Sequence, residues 1–241
     1  MPRSPGIARA HDPKSNGLIA ALPEAVFQRW RPQLELCPMT RGEVLYESGC
    51  AEGHVYFPTN AIVSLLYEMD DGAAAEIAVV GNEGIVGLSL LMGGGSTPSR
   101  AVVQSGGKGF RLNAQMVKDE FDQVAPVTRV MLRYIQALMT QMAQTAVCNR
   151  HHLLDQQLCR WLLMSLDRLP GNEVVMTQEL IANMLGVRRE GVTAGALGLQ
   201  ELGAIRYVRG RITVLDRKEL EKRSCECYAV VKREYDRLLC E

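Results

Sequence analysis

The sequence predicts an α+β fold: a β-rich N-terminal half, one long connecting helix, and a helical C-terminal half that ends in a helix-turn-helix and a small hairpin. Three observations predict it. From Cys37 to Leu112, short apolar runs alternate with turn signals, the texture of a small antiparallel barrel or roll. From Pro126 to about His152, apolar residues recur at a 3-4 spacing behind an initial proline, which suits the first turn of a helix because its missing amide donor has no partner there. From Thr177 to Ile205, two short amphipathic stretches flank a glycine, as in a helix-turn-helix.

Composition frames this reading. A chain of 241 residues with 47% hydrophobic content has room for one large domain or two small ones with real cores. Its formal net charge of +0 argues against a non-specific polyanion binder, but charge is unevenly placed. Between Val187 and Arg211 five arginines face only Glu190 and Glu201, a local basic surface suited to a few placed phosphate contacts. No apolar run approaches the roughly 18 to 20 residues of a membrane span, and the N-terminus lacks a signal-peptide core. A cytoplasmic location without membrane partners is expected. Seven cysteines at irregular spacings do not describe a disulfide framework.

Taken in order, residues 1–17 hold breakers without periodicity and are expected to form a mobile arm. Residues 18–125 form the β-rich domain. A helix is expected from Pro23 to Trp30, closed by Pro32, followed by strands at Val44–Tyr46, Val55–Phe57, Ala61–Glu68, Glu76–Val80, Ala101–Gln104 and Phe110–Leu112. Asp70-Asp71-Gly72 and Gly81-Asn82-Glu83-Gly84 provide turns. Gly93 to Gly95 read as a flexible hairpin tip rather than an anion cradle, since no helix start follows. A short helix spans Asn113 to Asp122.

The long helix, residues 126–152, carries Leu132, Ile135, Met139, Met142 and Ala146 as one seam, with Met131, Tyr134, Leu138 and Thr145 beside it. An apolar surface that wide is covered on two sides. An intramolecular core helix would account for it, and so would the same helix of a partner chain.

Residues 153–241 are expected to form the C-terminal domain. A helix from Leu153 to Leu169 presents Leu154, Leu158, Trp161, Leu162 and Ser165 to one side and ends at Pro170-Gly171-Asn172. In the helix-turn-helix, Thr177 caps a helix whose apolar face is Leu180, Ile181, Met184 and Leu185. Gly186 tolerates the left-handed turn, and Val187 tucks between the helices. The second helix, 188–201, buries Val192, Ala196 and Leu199. Arg188, Arg189, Glu190 and Thr193 crowd its start, where the helix dipole disfavours cations. An external phosphate or guanine edge would compensate, and helix-turn-helix proteins read bases with this part of the helix. A solvated helical hairpin is the alternative. The following RYVRGRITV segment lowers that alternative, because Tyr207, Ile212 and Val214 suit short strands around an Arg209-Gly210-Arg211 tip. Arginines there would contact phosphates. A last helix, Arg217 to Leu239, is expected to pack on this domain.

The segment from Leu153 to Asp216 resembles the DNA-binding domain of Crp/Fnr bacterial transcription regulators. The matching residues are Thr177-Gln178-Glu179, Leu185-Gly186-Val187, Arg189-Glu190 with Val192-Thr193, and Leu202-Gly203-Ala204-Ile205. The resemblance implies base contacts for Arg189 and Glu190, while a family arginine four residues after Glu190 is Ala194 here. The N-terminal half resembles the family's cyclic-nucleotide-binding-type β-roll, with Gly42-Glu43, Tyr56-Phe57, Gly84 and Gly87 in familiar places. Together the likenesses cover Leu18 to Asp216. They imply a homodimer through the long-helix seam, binding an inverted repeat in double-stranded DNA with Thr177, Gln178, Arg188, Arg189, Glu190, Thr193, Arg209 and Arg211. A contact of the last helix with RNA polymerase is compatible with this.

A cyclic nucleotide in such a roll would meet Gly87, Leu88, Ser99 and Arg100. Binding members carry a glutamate after the glycine where this chain has Leu88, so the ribose ligand is missing, and no cofactor is expected. Losing a buried hydrogen-bonded partner costs about 1 to 3 kcal/mol. The family's other sensors are not matched either: Cys37 and Cys50 are the only cysteines ahead of the roll and form no CxxC pair. Cys225 and Cys227, two apart in a helix, would point to different faces and read as packed thiols, and His151-His152 as surface histidines, so no metal is expected. No catalytic motif is present. The chain reads as a sequence-specific DNA-binding regulator whose roll senses an unidentified signal, with a small-molecule or protein-interaction module that has lost DNA reading as the alternative.

Overall fold

The computed structural model describes residues 11–50, 53–70, 72 and 74–239. Most of the expected arm, residues 1–10, and Asp71 of the expected turn lie outside them. The fold begins within the remainder of that arm. Asp12 caps a 3₁₀ turn at Pro13–Ser15, and Asn16 has no exposed surface. Asn16 Oδ1 accepts from the amides of Leu18 and Ile19 at the start of α1 (Gly17–Ala20), and its Nδ2 donates to Pro58 O and Gly84 O. A fully bonded buried amide is an anchor, so residues 12–17 are part of the fold rather than of an arm.

After α2 (Glu24–Trp30) come β1 (Glu35–Met39), β2 (Val44–Tyr46), β3 (His54–Pro58), β4 (Ile62–Glu68), β5 (Ala74–Val80), β6 (Arg100–Ser105) and β7 (Gly107–Asn113). All six expected strands are present. They pair antiparallel in two sheets, β1-β7-β3 and β2-β6-β4-β5, forming the roll around Trp30, Phe57, Ile62 and Leu112. Strand β1 was not expected. It is an edge strand with little burial alternation and carries Pro38, which an edge tolerates because no further strand needs the missing donor.

Beyond α3 (Ala114–Gln123) runs the long helix α4 (Ala125–His151). Its second stripe, Met131, Tyr134, Leu138 and Thr145, is buried within the chain. Tyr134 reaches the Gly81–Gly84 turn, where its hydroxyl donates to Ile85 O at 3.4 Å. A Cβ on Gly84 would overlap the Tyr134 phenol. Gly84→Ala is therefore expected to lower stability by about 1–3 kcal/mol through overpacking, read as a shift of the urea midpoint. Adding Tyr134→Leu should recover part of the loss; strict additivity of the two changes would refute the contact as the cause.

The next helix, α5 (Leu154–Leu166), is buried at every position from Gln157 to Leu166. The expected one-sided face is thus replaced by burial all round, because α8 (Arg217–Arg223), the helix-turn-helix and the end of the chain enclose it. Arg168, just past its end, pairs with Glu83 of the roll at 2.8 Å and lies over the Tyr235 ring. A second buried ionisable group lies on β5. Ser64 Oγ is 2.5 Å from Glu76 Oε2 and 3.2 Å from Gln104 Oε1. One hydroxyl proton cannot serve both acceptors, whereas a protonated Glu76 that donates to Ser64 leaves the Ser64 proton for Gln104. Burial pushes the Glu76 carboxyl up to about 7, against the opposing pull of Ser64, Arg160 and Arg168.

The C-terminal domain continues with β8 (Glu173–Val175), α6 (Gln178–Leu185), α7 (Arg189–Glu201), β9 (Ile205–Val208) and β10 (Arg211–Val214), the strands ordered β8-β10-β9. The expected terminal helix is two helices, α8 and α9 (Glu226–Leu239), broken at Ser224-Cys225. Helix α9 packs mainly on α4 rather than on the winged domain, with Tyr235 edge-on to Tyr134.

Candidate nucleic-acid interface

The turn between α6 and α7 is built as its residue types require. Thr177 Oγ1 accepts from Leu180 N, Gly186 takes φ 64° and ψ 35°, and Val187 N donates back to Ala182 O. Ile181, Met184 and Leu185 are buried, but Leu180, expected on the same face, is 40% exposed; Ala182 takes its place inside. In α7, Val192, Ala196 and Leu199 are buried as expected. Gly191 and Gly195 complete that side, since a Cβ on either would press on Leu154 or Asp155 at the start of α5.

This packing turns the opposite side of α7 outward. Arg188 is the N-cap without a side-chain bond to the helix, Arg189 begins the helix, and both are exposed with Glu190. Among the described residues their one ion pair is Arg189 to Glu179 at 3.9 Å, both side chains 63% exposed, which water largely screens. The cations thus remain at the positive end of the helix dipole without internal compensation.

The wing forms the other wall. A two-residue loop joins β9 to β10, with Arg209 at φ 50° and Gly210 at φ 78°. Positive φ at both positions is the twist a tight hairpin needs. Arg209 adopts it at a cost that glycine or asparagine would avoid. Tyr207 OH donates to Met176 O, and its amide donates to Gln200 Oε1, fixing the wing to α7 and to the segment that leads into α6. The result is an open groove lined by Thr177, Gln178, Arg189, Thr193, Arg209 and Gly210.

Of the eight residues expected at DNA, five therefore line one groove and Arg188 and Glu190 stand at its end. Three of the eight are bonded to another side chain. Thr193 Oγ1 donates to Gln178 Oε1 at 2.8 Å, tying the two helices together, and Arg211 is 2.5 Å from Glu173 of β8. Glu179, Leu197, Gln200 and Tyr207 also line the groove and were not among the residues expected at DNA. The alternation of Tyr207 with Arg206 was the one available signal.

The residues considered for a cyclic nucleotide lie elsewhere, on the roll. Gly87 has φ 106°, and Leu88 and Ser99 are buried. Arg100 is ion-paired to both Glu47 and Glu68, so an incoming phosphate would have to displace two carboxylates. On the far side of α4, Leu132 and Met139 are 51% and 64% exposed, Ala146 is exposed, and Ile135 and Met142 are half-buried. The seam is thus left uncovered by its own chain.

A β-roll, a long helix and a winged helix-turn-helix follow one another in this order. Residues 156–223 match the family model of the Crp-like helix-turn-helix domain. Over most of its length the chain has the fold seen in solved Crp/Fnr-type structures, and its C-terminal domain is similar to that Crp-like domain. A crp/fnr-family protein from Eubacterium rectale aligns at TM-score 0.68 and 20% identity, over 87% of this chain and 98% of that one. FixK2 from Bradyrhizobium japonicum aligns at TM-score 0.67 and 15% identity, over 80% and 98%. The CRP-family transcriptional regulator TTHB099 from Thermus thermophilus gives 0.64 and 19%, over 78% and 96%. No curated protein matches the sequence significantly. Among the described residues no helix is long and apolar enough to cross a membrane.

Proposed function

We propose that the protein is a homodimeric, sequence-specific transcription regulator. It pairs through the α4 seam and reads an inverted repeat with the two copies of α7. The observation that carries this reading is the pair of uncompensated arginines at the start of α7, facing a groove whose other wall is the arginine-tipped wing. A phosphate or guanine edge relieves that charge, and two-fold related helices about 34 Å apart enter successive major grooves. Arg189 and Glu190 take base edges; Arg188, Arg209 and the part of Arg211 not held by Glu173 take phosphates.

The double carboxylate clamp on Arg100 and the apolar Leu88 support DNA reading without a cyclic nucleotide. No other cofactor is needed for it, and no catalytic role is assigned. The test is selection from a random duplex pool by the purified protein without added nucleotide. Enrichment of a two-fold symmetric motif is the expected result, and enrichment that appears only with cyclic nucleotide would overturn this part of the reading. On the selected site, Arg189→Ala is expected to cost about 1–3 kcal/mol and relax one position of the motif, whereas Arg209→Ala weakens all sequences alike and lowers the salt slope by about 1. Unchanged affinity in both would sink the assignment of this face.

A further inference from the structure

Away from the groove, four metal-ligating side chains converge. Cys148 and His152 stand four residues apart at the C-terminal end of α4, and Cys225 and Cys227 flank the first residue of α9. Their ligand atoms all lie within 4.8 Å of one another. Cys148 Sγ is 3.4 Å from Cys225 Sγ, and Cys227 Sγ is 3.6 Å from His152 Nδ1. Helical continuity through residue 227 would have turned the two C-terminal thiols apart. The chain break at Ser224-Cys225 brings both inward.

We propose that this cluster is a mononuclear, tetrahedral Cys3His site for a thiophilic divalent ion of the zinc class. Bonds of about 2.3 Å to sulfur and about 2.0 Å to nitrogen place the ligands of a tetrahedral ion roughly 3.5–3.8 Å apart, close to the 3.4 and 3.6 Å of two of the pairs, and the 4.8 Å envelope leaves the others within about an ångström of it. The second shell agrees. His152 Nε2 lies 3.4 Å from Glu226 Oε1, the outer carboxylate that holds the imidazole with Nδ1 free to ligate. Gln157 Nε2 donates to both Cys148 O and His152 O, fixing the turn that carries two ligands. The three thiols are buried, with 0%, 3% and 1% exposure for Cys148, Cys225 and Cys227. Three thiolates and a neutral imidazole on a dication leave one negative charge, and the buried Arg160 guanidinium, bonded to Thr145 one turn before Cys148, lies on that side. Binding releases the thiol protons to solvent and oxidises nothing.

A polynuclear iron-sulfur centre fits poorly, because its cysteines sit on different irons and stand further apart than one 4.8 Å envelope allows. A Cys148–Cys225 disulfide would leave Cys227 and His152 facing each other without a role. The ion instead clasps the end of α4 to the start of α9. His152 is also the joint between α4 and α5, so the same clasp fixes the direction in which the winged domain leaves the long helix.

The experiment is a Co(II) titration of the full-length protein, stripped by chelator under reducing conditions and checked by circular dichroism. Elemental analysis of the protein as purified accompanies it. Expected are one equivalent of bound ion, the intense visible absorption of tetrahedral thiolate-bound Co(II), and its bleaching by Zn(II). Cys225→Ser should abolish the spectrum, while Cys50→Ser, outside the cluster, keeps it. Glu226→Gln, on the surface, should weaken Zn(II) affinity about 10- to 100-fold in competition with a chelator, which remains informative if Cys225→Ser does not fold. A folded, reduced wild-type protein that binds neither ion overturns the proposal, as does iron with sulfide, or a Cys148–Cys225 disulfide, in the protein as purified. Metal binding is read without DNA, so the site stands or falls independently of the regulator reading.

Discussion

Replacing Met139 by glutamate is expected to convert the protein to a monomer and to lower its affinity for a two-fold symmetric DNA site by about 10²- to 10⁴-fold. Met139 is the most exposed apolar residue of the α4 seam, at 64%, and lies midway between Leu132 and Ala146. A carboxylate there would meet its own symmetry mate across the axis. The chain's own core is not involved, because the buried stripe of Met131, Tyr134 and Leu138 lies on the other side of the helix. In the proposed dimer the loss on DNA follows from linkage: one winged domain would hold the other at high effective concentration, and a monomer would forfeit that gain without losing any contact. Affinity for an isolated half-site should therefore be unchanged. Sedimentation equilibrium checks the first part, and a variant that remains dimeric would exclude the seam.

Folding stability is expected to fall as pH rises from about 5 to 8, and Glu76→Gln to flatten that dependence. The sign follows from proton counts. With the folded carboxyl raised to about 7 from 4.5, the native state binds the extra proton between those values, so its contribution is complete below the unfolded pKa and is lost as pH climbs through the folded one. A shift of that size corresponds to about 3 kcal/mol at most. Glutamine keeps the neutral shape and the partners Ser64 and Gln104. Urea unfolding at pH 5 and pH 8 measures the difference; parallel behaviour of the two proteins would show that Glu76 does not hold its proton.

The parts legible in the sequence were those whose physics is local. Gly186 with its flanking apolar spacing marks the helix-turn-helix, Arg209-Gly210 marks a hairpin tip, and the seam and stripe of α4 separate by periodicity alone. What escaped depended on partners distant in the chain. Strand β8 has three residues and is a strand only because β10 lies beside it. Leu180 has helical spacing yet faces outward, because Ala182 is small enough to sit inside. The break before α9 is invisible in a charge pattern that continues through it. The approach of Cys225 to Cys148, 77 positions earlier, has no local signature at all. Arginines at a helix start stand out in sequence because they conflict with their own dipole, whereas Arg100 shows its carboxylate partners Glu47 and Glu68 only once the roll has folded.

Helix α5 has no solvent face across ten consecutive residues. A helix enclosed in this way is shared property: cutting the chain at residue 153 would strip away Glu83, which neutralises Arg168, and Cys148, whose carbonyl accepts from Gln157. The reading head is thus separable in role but not in cooperativity, and heat or denaturant should melt roll and winged domain in one step. Surface side chains of α7 can change without disturbing this packing, but the winged domain cannot be moved onto a different N-terminal domain without also rebuilding the floor on which it stands.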